Sequence, residues 1–135
     1  MMDVAMNGGQ GRNVTLKDVA KRQAISQKYL WQIVNPLKRE GLIRAASGPG
    51  GGYSLAKPLG KITLRDILMV LEGDCSLVVC THEPGLCPRS SGCAAREVWK
   101  EVDGKLAGVL ESITLEKMVE KQRALARKSV TEYCI

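Results

Sequence analysis

The chain has no phenylalanine, and aromatic side chains make up only 4% of its 135 residues. Its core must therefore be built from aliphatic residues and methionine. Histidine is almost absent too: His82 is the single one. No Ser/His/Asp set can assemble around it and no spaced carboxylate pair stands out, so the sequence predicts no enzyme and no small-molecule substrate. Long apolar runs are missing. The longest, Ile67-Leu68-Met69-Val70-Leu71, falls far short of the roughly 20 residues a membrane helix needs. The start shows no basic-then-apolar signal pattern. The expectation is a soluble, cytoplasmic chain without a membrane partner. Its length suits one domain with a core large enough to fold without metal or disulfide staples, so any metal would serve function.

Acidic residues are scarce in the first sixty positions, and this locates the net charge of +6. Residues 1–60 carry nine Lys/Arg against Asp3, Asp18 and Glu40, whereas residues 61–135 carry eleven of each sign. A charge excess confined to one half suits a polyanionic partner, with nucleic acid the first candidate.

Local patterns organise that half. Met1 to Asn7 is helical and ends at Gly8-Gly9, and it reads as the tail of a longer helix cut short. Thr15 caps a helix over 16–22, with Asp18 three residues on. Ser26 caps a longer helix from Gln27 to Glu40, whose Leu30, Ile33, Val34 and Leu37 recur at helical spacing and whose Pro36 is expected to kink it. Two helices joined by a tight turn form a helix-turn-helix pattern. Next come a strand over 42–45, the tip Ser47-Gly48-Pro49-Gly50-Gly51-Gly52 and a return strand over 53–56, which make a hairpin wing. The glycines do not form a nucleotide cradle, because no Gly-Lys-Ser/Thr follows and no helix starts there. Thr63 caps a helix over 64–71.

From Cys75 to Cys93 periodicity disappears, which predicts an irregular loop of about 19 residues; a loop that long needs a reason. Residues 94–111 are helical again, and Trp99, Val102, Leu106, Val109 and Ile113 step by three, four, three and four, a heptad seam. The seam either packs on its own domain or joins two copies. A homodimer is the preferred reading, because a winged domain reads only a half-site and a two-fold dimer supplies the full operator. Thr114 caps a last helix over 115–128.

Cys75, Cys80, Cys87 and Cys93 fall within 19 residues, with His82 among them. Disulfides would need an oxidising compartment to which nothing in the sequence sends the chain. Structural zinc normally uses tight Cys-x2-Cys pairs, whereas the gaps here are four, six and five residues; a Cys3His zinc site remains an alternative. Wide Gly/Pro-rich spacing lets a loop wrap an iron-sulfur cluster. A ferredoxin-type carrier would have no use for a basic helix-turn-helix and wing.

The runs Leu16-Lys17-Asp18-Val19-Ala20, Ile25-Ser26-Gln27-Lys28-Tyr29-Leu30, Pro36-Leu37-Lys38-Arg39-Glu40-Gly41-Leu42-Ile43 and Gly48-Pro49-Gly50-Gly51-Gly52-Tyr53-Ser54-Leu55-Ala56 resemble the IscR, NsrR and CymR family of bacterial winged-helix transcription regulators. The likeness continues through Ile62-Thr63-Leu64-Arg65-Asp66-Ile67-Leu68 and Leu110-Glu111-Ser112-Ile113-Thr114-Leu115. It implies a mainly α fold with a small β-hairpin wing: a winged helix-turn-helix over 1–72, a cysteine-rich cluster loop over 73–93, and a long dimerisation helix with a C-terminal helix over 94–135. It also implies a homodimeric regulator binding a duplex DNA operator and sensing iron-sulfur, redox or nitric oxide status. By the same resemblance Cys80, Cys87 and Cys93 would be the metal ligands of an iron-sulfur cluster, 2Fe-2S in preference to 4Fe-4S, and Cys75 and Cys134 would not. Where some relatives place a fourth ligand, a His one turn after the third cysteine, this chain has Arg96, leaving His82 as a stopgap. The alternative is a cluster-free thiol- or ligand-responsive regulator of the same fold, with a zinc-binding regulator or an electron carrier behind it.

Ser26, Gln27, Lys28, Tyr29 and Gln32 open the presumed recognition helix and are the candidates for base edges in the major groove. Lys38, Arg39 and Arg44 are candidates for phosphate contacts. The wing tip Gly50, Gly51 and Gly52 carries no side chains and would fit a minor groove. Trp31 stands where relatives commonly have Glu; it either packs or faces DNA.

Overall fold

A computed structural model describes residues 1–8 and 12–132, with side chains as far as residue 128. The sequence-predicted breaker Gly9 and the dispensable Cys134 lie outside the described residues. The order is α1 (Met2–Asn7), α2 (Leu16–Gln23), α3 (Gln27–Arg39), strands β1 (Ile43–Ala46) and β2 (Gly52–Leu55), α4 (Leu64–Leu71), α5 (Val79–His82), α6 (Ala94–Ser112) and α7 (Leu115–Glu132). Short 3₁₀ turns lie at Leu59–Lys61, Pro84–Leu86 and Ser90–Gly92. The architecture is mainly α with one antiparallel hairpin, as the sequence implies.

Caps set the helix starts. Thr15 Oγ1 accepts the Asp18 N–H at 3.2 Å and Ser26 Oγ accepts the Tyr29 N–H at 3.2 Å. Thr63 and Asp66 form a reciprocal capping box, which satisfies two N–H groups a helix start would otherwise leave bare. Pro36 does not interrupt α3. It removes only its own N–H, the donor to the carbonyl four residues back, and leaves the other rungs of the ladder free to form.

The core is aliphatic. Leu37, Leu42, Ile43, Ile62, Ile67 and Leu115 form one buried cluster, and Val14, Val19 and Leu30 a second beneath α2 and α3. Leu115 belongs to α7, so the last helix starts inside the core of the winged unit. Two backbone bonds make that junction: Leu64 N–H to the Ile113 carbonyl at 2.7 Å and Leu115 N–H to the Ile62 carbonyl at 2.8 Å. They fix the end of α6 to the start of α4.

The cysteine segment is more ordered than its lost periodicity suggests. One turn of α-helix and two 3₁₀ turns punctuate it, elements too short to leave a period in the sequence. Among the described residues no helix is long and apolar enough to cross a membrane.

Candidate nucleic-acid interface and cysteine loop

Alpha-helix α3 buries Leu30, Val34 and Leu37 and turns its other side outward. Gln27, Lys28, Tyr29, Gln32, Lys38 and Arg39 are all exposed on it. Ser26 is exposed too, with its hydroxyl engaged as the cap. Residues three and four apart share a helix face, so Lys28, Gln32, Asn35 and Arg39 form one stripe. Asn35, half-buried at the middle of the stripe, is not among the candidates that the sequence offers. Trp31 is 58% exposed, which corrects the packing alternative.

The wing stands beside this helix. Its register pairs Ile43 with Leu55, Arg44 with Ser54, Ala45 with Tyr53 and Ala46 with Gly52, the two strands lying within one residue of where the sequence places them. Long-range bonds hold the hairpin. Tyr53 exchanges two backbone bonds with Val14, both 2.8 Å, and Asn13 Nδ2 donates to the Gly50 carbonyl at 3.0 Å. The segment before α2 thus clamps the hairpin. Gly50 has φ +79°, and at Gly52, with φ +143°, an added Cβ would lie 2.8 Å from the Val14 carbonyl oxygen. Both positions require glycine on backbone grounds. Gly50 is exposed at the tip, whereas Gly51 and Gly52 are half-buried. Arg44 is exposed and donates its Nε–H to the Leu55 carbonyl at 3.1 Å, lying along the hairpin.

Cys80 sits in α5, Cys87 follows the Pro84–Leu86 turn, and Cys93 is the residue before α6; with Cys75, all are free thiols and half-buried. Two groups of α6 hold this segment. Arg96, with only 13% of its side chain exposed, donates Nε–H to the Cys80 carbonyl at 2.7 Å, and Asp103 Oδ1 accepts the Leu77 N–H at 3.0 Å. His82 faces Asp74, Nδ1 to Oδ2 at 3.1 Å. Hydrogen bonds from Ser76, with His82 nearby, keep the Asp74 carboxyl below the usual carboxylate range. In kind the donor set fits an iron-sulfur cluster, with three free thiols in one loop. Among the described residues, however, no three Cys, His, Asp or Glu side chains gather at metal-binding distance. Arg96, one turn after Cys93, carries no lone pair to offer a metal.

The seam of α6 faces outward over most of its length. Trp99 is 40% exposed, Val109 55% exposed and Val102 also exposed, whereas Leu106 and Ile113 are half-buried and the neighbouring Leu110 is buried.

The model of the Rrf2 family, described as "Iron-dependent Transcriptional regulator", matches residues 1–121. The chain belongs to the Rrf2 family. It is 34% identical over 125 residues to the HTH-type transcriptional regulator IscR of Cronobacter sakazakii, covering 93% of this chain and 76% of that protein. Among solved structures it is similar to CymR (YrzC), the global cysteine regulator of B. subtilis, with TM-score 0.72, 33% identity and coverage of 89% of this chain and 87% of that one. It is likewise similar to T. potens IscR, with TM-score 0.70, 33% identity and coverage of 90% and 78%. As an Rrf2 protein with IscR-like relatives, the chain is a bacterial-type, DNA-binding regulator of transcription on a winged-helix fold.

Proposed function

We propose that this Rrf2 protein binds a duplex DNA operator as a homodimer and regulates transcription in response to iron-sulfur, redox or nitric oxide status. In this reading residues 1–72 bind DNA, 73–93 sense, and 94–135 carry the dimer helix. Gln27, Lys28, Tyr29 and Gln32, started by the Ser26 cap, face base edges. Lys38, Arg39 and Arg44 hold phosphates, and the Gly50–Gly52 tip approaches a minor groove. Trp99, Val102, Leu106, Val109 and Ile113 meet their counterparts in a second copy. The open apolar seam supports this, since such a stripe on a helix is best covered by a partner.

Cys80, Cys87 and Cys93 would hold the cluster, 2Fe-2S in preference to 4Fe-4S. The observation that carries this reading is the placement of three free, half-buried thiols in a loop gripped by the seam helix. A thiolate-held cluster supplies sensitivity to oxygen, nitric oxide and iron loss. The protein's own contribution is mechanical: a change in the loop reaches α6 through Arg96 and Asp103, and α6 sets the spacing of two recognition helices.

A second reading, a cluster-free thiol-responsive regulator of the same fold, is suggested by the likeness to a global cysteine regulator. Visible absorbance with iron and sulfide analysis of anaerobically purified protein separates the two. Coloured protein with matched iron and sulfide supports the cluster. Colourless protein, or stoichiometric zinc, leaves the thiol sensor.

A further inference from the structure

Trp31 lies four residues after Gln27 and three after Lys28, so the three share the outward face of α3. Its indole borders a shallow groove with Leu16 of α2 and with Gln27, Lys28 and Gln32. The buried stripe of the same helix is Leu30, Val34 and Leu37, so core packing does not account for Trp31. An indole left in water is a large apolar surface whose covering favours association. The exposed cations Lys28, Lys38 and Arg39 on the same helix give the surroundings a charge complementary to a polyanion.

An apolar ring beside a lysine, on a helix with further cations, suits one feature of duplex DNA, the C5-methyl group of a pyrimidine in the major groove. Two bases carry that methyl. Beside it thymine presents the O4 acceptor, whereas 5-methylcytosine presents an amino donor. The indole Nε1–H is a donor only, so it complements thymine and leaves the cytosine amino group unmet. Resting on the reading that α3 enters the major groove, we propose that Trp31 is a specificity-determining residue that selects thymine in each half-site by packing against its methyl group.

The test uses the full chain and a duplex enriched from a random pool by the wild-type protein. Each thymine is replaced in turn by deoxyuridine, which removes only the methyl group. At one thymine per half-site the wild type is expected to lose about fourfold in affinity, the worth of roughly one buried methyl. Trp31→Ala, with an unchanged melting temperature, is expected to be indifferent to that replacement. Cytosine and 5-methylcytosine at the position are expected to bind more weakly than thymine; equal binding of 5-methylcytosine overturns the choice of base. Full methyl sensitivity retained by Trp31→Ala, or duplex binding by the wild type without any enriched sequence, overturns the proposal and leaves DNA binding standing. A wild type that binds no duplex at all removes the reading on which the proposal rests.

Discussion

Arg96 donates its Nε–H to the Cys80 carbonyl at 2.7 Å across sixteen residues of sequence, so the helix bearing the seam holds the backbone of a loop cysteine directly. Asp103, two turns further along α6, accepts the Leu77 N–H, and its second oxygen is buried without a hydrogen-bond partner among the described residues. Both grips lie on one face of the helix. Removing the first, Arg96→Ala, is expected to lower stability by about 2 kcal/mol, as for a charge-assisted bond. Cys80 should also alkylate several-fold faster as the loop opens. Thermal unfolding and mass-resolved maleimide labelling measure both effects. Unchanged labelling would mean that the contact does not govern the loop.

A second expectation concerns acid. The Asp3 carboxylate, 7% exposed, receives Arg22 at 3.0 and 2.6 Å and Gln23 at 2.9 Å. The Arg22 guanidinium holds its carboxyl below the usual range. A group whose folded pKa is depressed adds stability that is complete above its unfolded pKa, about 4, and is lost as pH falls through the folded value. Wild type and Asp3→Asn should therefore differ by a constant amount at neutral pH, about 2 kcal/mol, begin to approach one another as pH falls below about 4, and meet only below the folded pKa. Urea unfolding across pH reads the difference.

The turn between α2 and α3 contains a strained residue. Ala24 sits at φ +53°, ψ +38°, the one non-glycine with positive φ among the described residues. That conformation costs an L-residue about 1–2 kcal/mol, only part of which glycine returns through unfolded-chain entropy. Ala24→Gly is expected to stabilise the protein by about 0.5–1 kcal/mol, seen as a raised melting temperature. A lowered one would contradict the geometry.

Much of the fold was legible because its determinants are local. Thr15, Ser26 and Thr63 cap within three residues, and glycines mark the wing tip. The clamp on the wing was not, because Asn13 and Val14 reach it from thirty-seven and thirty-nine residues away. Nor could spacing tell which side of α6 faces its own domain: the heptad names Val109, and the core takes Leu110. The exposure of Trp31 likewise depends on how α3 packs, which its sequence neighbours do not reveal.

For the seam, Leu106→Asp would place a charge in an apolar contact, at a cost of several kcal/mol if it stays buried. Sedimentation velocity should show the wild type as a dimer and the variant as a monomer, with operator binding lost in parallel. A variant that stays dimeric and binds the operator places the interface elsewhere.

If the loop thiols govern DNA binding, an anaerobic operator titration must respond to iron chelation. Chelation is expected to change the affinity of coloured wild type and of Cys75→Ser by about tenfold, a coupling of about 1.4 kcal/mol. Serine at Cys80, Cys87 or Cys93 should give colourless protein whose affinity ignores chelation. Normal, chelation-sensitive regulation by those three variants would contradict it.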